Sequence, residues 1–197
     1  MMKKGTIGSD LDGVLYPWQK LAYDEIRRRY GIKDSFAKFW QKKGIYDSLI
    51  QEAILWDLYD HADPDPHMVE VYQAIGQYYP MVYVTHRPSF STETTRRWLE
   101  KYNFPNPENL AVVSGSKARM VKKFNCLAFI EDRISVGLTL MPITKVIIKT
   151  QPWNKLEACP FERFPASNPF ILLDILKDMG LYPGERIDMA TLKQVAA

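Results

Sequence analysis

Short apolar runs recur along the chain, separated by stretches with helical spacing. Residues 6–11 (TIGSDL) read as a strand that runs into acid, and 80–85 (PMVYVT), 110–114 (LAVVS), 126–130 (CLAFI) and 143–148 (ITKVII) read as four more. Runs this uniformly apolar predict strands covered on both faces, hence a parallel sheet. Helical patterns fall between them. One over 68–78 leads into the second strand, one over 91–102 leaves it from a Ser/Thr-rich start suited to capping, and one over 116–124 precedes the fourth strand. The alternation predicts a doubly wound, Rossmann-like α/β fold.

The first and second strands are too far apart for a single crossover. Residues 17–59 read as mostly helical and carry Trp18, Tyr23, Tyr30, Phe36, Phe39, Trp40, Tyr46, Trp56 and Tyr59. They predict a helical insertion beside the sheet, with Asp63-Pro64-Asp65-Pro66 marking the return to the core. The expected division is a core of 1–15 and 63–150, a helical cap of 16–62, and a C-terminal extension of 151–197 packed on the core. The extension holds Pro152, Pro160, Pro165, Pro169 and Pro183, and reads as loop with one helix over 169–179.

Composition narrows the function classes. A chain of 197 residues that is 46% hydrophobic and 25% charged fits one globular domain with an insertion. A net charge of +3 makes no strong case for nucleic acid on charge alone. Cys126 and Cys159 do not make a disulfide framework. Lys3 and Lys4 are not followed by a signal peptide, and no run approaches the roughly 20 apolar residues of a membrane span, so no membrane partner and a cytoplasmic setting are expected. The run from His61 to His67 gathers His and Asp, but its prolines break any regular ligand spacing, and it reads as a solvated linker.

The chemistry concentrates at strand ends. The first strand delivers Asp10 and Asp12 to its carboxyl end, where open α/β sheets bind ligands, and Gly13 lets the chain turn there. Two carboxylates this close repel unless a cation lies between them, and Mg2+ with oxygen ligands suits the role. An Asp-Gly turn alone is a common loop feature. A second strand running into acids, Phe129-Ile130-Glu131-Asp132, makes coincidence harder, although Asp132 could instead cap the helix after it. Thr85 stands at the end of the second strand, before His86, Arg87 and Pro88, where a hydroxyl and free N–H groups could hold a phosphate oxygen. Lys117, near a helix start, could offset phosphate charge.

In this order, Asp10/Asp12, Thr85, Lys117 and Glu131/Asp132 resemble the motifs of the haloacid dehalogenase (HAD) superfamily of phosphohydrolases, over most of residues 5–150. The resemblance implies a Rossmann-like core with the first strand central and a cap inserted after it. It implies that Asp10 attacks phosphorus to form an aspartyl phosphate, and that Asp12 protonates the leaving oxygen and then activates water. It implies Mg2+ on Asp10, the Asp12 backbone carbonyl and Asp132, with Glu131 a further candidate ligand where many relatives have Asp, and phosphate held by Thr85 and Lys117. His86, beside Thr85, is expected to line the same phosphate pocket, though the mechanism does not require it.

More narrowly, Thr85-His86-Arg87-Pro88 with Thr95, Trp98 and Leu99, Ile130-Glu131-Asp132-Arg133, and Gln151-Pro152-Trp153-Asn154 are similar to the 5'(3')-deoxyribonucleotidase branch and its bacterial and phage relatives. That branch carries base-stacking aromatics in its cap, so Phe39 and Trp40, with Arg87, are the expected substrate contacts. The expected activity is hydrolysis of (deoxy)nucleoside monophosphates. The alternatives are another small phosphate ester, a nucleic-acid end, or a silent binding module on the same fold; the second carboxylate, Asp12, is one that a binding module would not need.

Overall fold

The computed structural model describes residues 5–183. Six strands, β1 (Thr6–Ser9), β2 (Met81–Thr85), β3 (Leu110–Val112), β4 (Cys126–Glu131), β5 (Lys145–Thr150) and β6 (Glu162–Pro165), form one sheet in the order β3-β2-β1-β4-β5-β6. Every pairing is parallel. The apolar runs have the cause inferred from sequence. Met81 and Tyr83 point into one hydrophobic cluster while Val82 and Val84 point into another on the opposite face, and Ala128 and Ile130 alternate in the same way with Phe129.

β1 is interior, between β2 and β4, with Ser9 opposite Tyr83 on one side and Ile130 on the other. Three strands in this register finish at one edge, which places Asp10, Thr85 and the Glu131-Asp132 pair together.

Between β1 and β2 the chain forms α1 (Trp18–Tyr30), α2 (Phe36–Gln41), a 3-10 turn (Lys43–Tyr46), α3 (Asp47–Ile54) and α4 (Pro66–Gly76). Ala22, Tyr23, Ile26, Phe39, Ile50 and Ala53 of this insertion share a hydrophobic cluster with Ile7 of β1. Phe39 is at its centre, stacked on Tyr46 at 4.5 Å and edge-on to Tyr23 at 5.5 Å. α4 begins two residues earlier than its apolar pattern indicates. The Asp65 side chain accepts the His67 N–H at 2.9 Å, and Pro66 occupies the first turn, where its missing N–H costs nothing.

The remaining helices are α5 (Thr92–Lys101), α6 (Ala118–Lys123), α7 (Ile134–Leu140) and α8 (Ile171–Asp178). α7 has no side-chain cap, so Asp132 is not spent on capping. The extension differs from the expected loop: Glu162–Pro165 joins the sheet as its edge strand. Only Phe164 of these four is buried, so the segment lacks an apolar run, and proline is tolerated at an edge. Residues 184–197 of the expected extension lie outside the described residues. Among the described residues no helix is long and apolar enough to cross a membrane.

Two linkers flank the helices α1–α3, residues 10–17 before α1 and residues 55–65 between α3 and α4, and Trp98 of α5 ties the core to the second. Its indole donates to the Ala62 carbonyl at 2.8 Å, and its ring stacks on Phe104 and meets Tyr16 edge-on. Trp98→Ala is expected to lower unfolding stability by about 3–5 kcal/mol in urea titration, as for other buried aromatics cut to alanine; a loss near zero would mean that these contacts do not hold the linker to the core.

Candidate active site

Asp10 follows β1 directly, and its backbone is pinned. Its N–H donates to the Ile130 carbonyl at 2.8 Å, and the Ser9 hydroxyl, bonded also to Tyr72, lies 2.6 Å from its carbonyl oxygen. Its Oδ1 accepts the Leu11 N–H at 2.7 Å, and its Oδ2 pairs with Lys117 Nζ at 2.7 Å. The buried Lys117 reaches Glu131 Oε2 as well, at 2.8 Å. Glu131 Oε1 accepts the N–H groups of Asp132 and Arg133, both at 3.1 Å. Both oxygens of Glu131 are therefore engaged.

Asp132 is different. Its Oδ2 accepts the Trp153 indole N–H at 3.0 Å, while its Oδ1 is buried with no partner.

The protonation tendencies follow. Burial, then the Glu131 carboxylate, push Asp10 up to about 6 against the pull of Lys117. Burial, then Glu131 and Asp10, push Asp132 well above the usual carboxylate range. Burial would raise Glu131 too, but Lys117 holds it below its ordinary value. Burial would lower Lys117, yet Asp10 and Glu131 outweigh it and raise it.

Carboxylate oxygens of Asp10, Glu131 and Asp132 lie within 4.8 Å of one another. Three buried carboxylates facing one ammonium, all hard oxygen donors, and one orphaned oxygen on Asp132 fit a small hard cation such as Mg2+. Asp132, with its unpartnered Oδ1, and Asp10 beside it are the carboxylates that would hold it. Gly13 makes this approach possible: its φ is +84°, and a Cβ there would stand 2.2 Å from Asp132 Oδ2.

Asp12 is gripped by Arg87. The guanidinium Nη2 lies 2.6 Å from Asp12 Oδ1, and Nε lies 3.1 Å from both oxygens. Nη1 donates to Thr95 Oγ1 at 2.9 Å and, more weakly, to the Tyr59 carbonyl at 3.4 Å. The Tyr16 and Tyr59 rings stand 4.6 and 4.8 Å from the guanidinium carbon. Arg87 is thus a partner of Asp12 and of both linkers of the insertion. Burial, only partly opposed by Arg87, raises Asp12 above its ordinary value. Thr85 Oγ1 is buried without a partner at the same edge. His86 is exposed, and its Nε2 meets the Gly115 carbonyl at 2.8 Å, on the loop leading to Lys117.

These residues open onto a cavity of about 1050 Å³ between the strand ends and the insertion. Asp10, Asp12, Thr85, His86, Arg87 and Asp132 line one side, and Trp18, Gln19 and Trp40 face them. Trp40 takes the wall position expected from sequence. Phe39 does not: it is fully buried among the insertion helices and is not part of the wall. The Trp18 and Trp40 indole N–H groups and Gln19 Oε1 are buried and unpartnered.

The segment after β5 contributes more than its motif indicated. Asn154 Nδ2 donates to the Asp132 carbonyl at 2.6 Å, Gln151 Nε2 donates to the Gly13 carbonyl, and Trp153 reaches Asp132. The buried Lys149 of β5 donates to the Val14 carbonyl at 2.7 Å. The signal for these was available: β5 ends at the same sheet edge as β1 and β4, and a lysine interrupts its apolar run.

No protein-family model matches the sequence, and no curated protein matches it. Solved structures do match in fold. The chain is similar to a haloacid dehalogenase-like family hydrolase from Streptococcus pneumoniae at TM-score 0.60 and 13% identity, covering 89% of this chain and 100% of that one. It is similar to a HAD family hydrolase from Deinococcus radiodurans with bound phosphate and sodium, at 0.59 and 13%, covering 92% and 99%. A hydrolase from Pseudomonas syringae matches at 0.59 and 15%, covering 89% and 99%. The chain has the haloacid dehalogenase-like fold, with its parallel sheet and the helices around it.

Lys149 gives a pH test of the site's support. Burial pushes its ammonium down to about 8, with Asp65 and Asp132 opposing only in part. The unfolded lysine titrates near ~10.4, so between pH ~8 and ~10.4 the unfolded chain binds the extra proton and stability rises with pH. Urea unfolding should show a gain on the order of 3 kcal/mol across that window relative to Lys149→Met. Parallel pH profiles for the two proteins would contradict the burial of this charge.

Proposed function

We propose that this chain is a Mg2+-dependent phosphomonoesterase that works through an aspartyl phosphate on Asp10, and that its substrates are (deoxy)nucleoside monophosphates. The observation that carries the first part is the meeting of Asp10, Thr85, Lys117 and Asp132 at one sheet edge, with Thr85 Oγ1 and Asp132 Oδ1 buried and unpartnered. The bound phosphate of the Deinococcus hydrolase agrees with that chemistry.

Mg2+ bound at Asp10 and Asp132 would neutralise phosphate charge. Lys117 adds positive charge beside the nucleophile, and Thr85 donates to a phosphate oxygen. An Asp10 carboxylate oxygen attacks phosphorus, the bond from phosphorus to the ester oxygen breaks, and that oxygen takes a proton from Asp12. Asp12, now a carboxylate, takes a proton from water, whose oxygen attacks the phosphorus of the aspartyl phosphate. Inorganic phosphate leaves and Asp10 is restored. The raised pKa of Asp12 suits a group that must first carry a proton, and Arg87 aims it.

Residues 16–62 act as the cap in this reading. The core grips only phosphate, which every ester shares, so discrimination falls to the opposite wall. Trp18 and Trp40 of that wall carry flat indole rings on which a planar heterocycle can stack. The two cysteines are unpaired, in keeping with a cytoplasmic setting.

Phosphate release from dNMPs, NMPs, sugar phosphates and p-nitrophenyl phosphate, with Mg2+ or EDTA, tests this reading. A nucleotide should be hydrolysed fastest, EDTA should abolish turnover, and Asp10→Asn should be inactive. Trp40→Ala should raise KM for the preferred nucleotide about tenfold, from a stacking contribution of ~1–3 kcal/mol, and leave p-nitrophenyl phosphate little changed. A sugar phosphate turned over far faster than any nucleotide would reject the nucleotidase assignment, and full activity in EDTA would reject the metal.

A further inference from the structure

Trp153 lies where the insertion meets the acidic cluster. Its indole N–H donates to Asp132 Oδ2 at 3.0 Å, and the next residue, Asn154, holds the Asp132 backbone carbonyl at 2.6 Å. The segment that carries them is itself closed. The Gln151 N–H donates to Asn154 Oδ1 at 3.0 Å, the Asn154 N–H returns to the Gln151 carbonyl at 3.1 Å, and the Gln151 amide reaches Gly13. One rigid turn therefore holds Asp132 at both its main chain and its side chain. With Oδ2 taken, Oδ1 is the oxygen left without a partner.

The other side of the Trp153 ring faces α2. It meets Phe36 edge-on at 6.0 Å and Trp40 at a tilt, 6.2 Å away. Trp40 in turn contacts Trp18 of α1 at 6.2 Å, and the neighbouring Phe39 anchors α2 within the insertion's own core. A shift of the insertion thus moves rings that press on Trp153, and a turn of Trp153 moves the donor that orients Asp132.

We propose that Trp153 is a positioning residue that couples the place of α2 to the orientation of the Asp132 carboxylate, so that the insertion's position sets the cation affinity of the site. This rests on reading Asp132 as a cation ligand. The physical requirement is for a ring large enough to span from α2 to Asp132 with a donor at its rim. Phenylalanine supplies the ring without the donor. Groups that orient a ligating carboxylate typically change metal affinity by roughly 10–100-fold when removed. Coupling of this kind is also reciprocal: if α2 influences cation binding, the cation influences the surroundings of Trp153.

The test is Mg2+ titration of the substrate-free protein by calorimetry, with tryptophan emission followed in parallel and circular dichroism to confirm folding. Trp153→Phe should weaken Mg2+ binding about tenfold and remove part of the Mg2+-dependent change in emission. Phe36→Ala, which removes a side chain that neither bonds Asp132 nor itself lines the cavity, should weaken binding by a smaller factor. The double variant should lose less than the product of the two, because both act through one contact. Asp132→Asn separates the layers. If wild type binds Mg2+ and Asp132→Asn weakens it while Trp153→Phe stays within twofold of wild type, the coupling is overturned and the metal reading stands. If Trp153→Phe weakens binding but Phe36→Ala does not, the link to α2 is overturned. If wild type binds no Mg2+ at millimolar concentration, both fall. Should Trp153→Phe fail to fold, Phe36→Ala and Phe36→Leu carry the test: unchanged affinity in both overturns the proposal.

Discussion

Three carboxylates, those of Asp10, Glu131 and Asp132, are buried with oxygens within 4.8 Å of one another, and the ammonium of Lys117 pairs with two of them. Burying like charges this close is costly, and each must find a counter-charge, a hydrogen bond or a proton. Glu131 finds Lys117 and two backbone N–H groups, and Asp10 shares the same lysine. Asp132 finds one indole donor and keeps one bare oxygen. Much of the surrounding structure serves this cluster. The parallel register of β1 and β4 brings the acids to one edge, Gly13 leaves room beside Asp132, and the turn after β5 braces it from outside.

The second organising pair is Asp12 with Arg87. The guanidinium is buried between Tyr16 and Tyr59, which belong to the two linkers of the insertion, and it binds the carbonyl of one of them. The carboxylate proposed as proton carrier is thereby tied to both linkers. Trp153 makes a comparable connection from the other side, between α2 and Asp132. The insertion thus contacts the surroundings of both carboxylates that flank Asp10, which is the arrangement expected if, as proposed, it reports substrate to the core.

The fold was legible because β2 and β4 are buried on both faces and leave near-continuous apolar runs, and β5 buries Val146, Ile147 and Ile148 between its two lysines. β6 left no such run: only Phe164 is buried, and its partners on β5 lie far from it in sequence. The acids and Thr85 were legible from position alone, since parallel strands end at a shared edge. Side-chain direction was not. Phe39 and Trp40 are adjacent on one helix, so one had to face the insertion's core while the other faced the cavity, and sequence spacing did not choose between them. The pairing of Arg87, an expected substrate contact, with Asp12 was not legible because the two are 75 positions apart in sequence. The same distance problem hid the partners of Lys149 and Trp153, the Val14 carbonyl and the Asp132 carboxylate.

The central claim is that Asp10 becomes covalently phosphorylated. A single-turnover reaction with excess enzyme, a nucleoside monophosphate and Mg2+, quenched in acid within the first turnover, tests it most directly by mass spectrometry of the peptide spanning β1. The account predicts a gain of one phosphoryl group on Asp10, labile to hydroxylamine and decaying as inorganic phosphate appears. Phosphate released at full rate with no label on Asp10 at any time, or a label on a different residue, would contradict it.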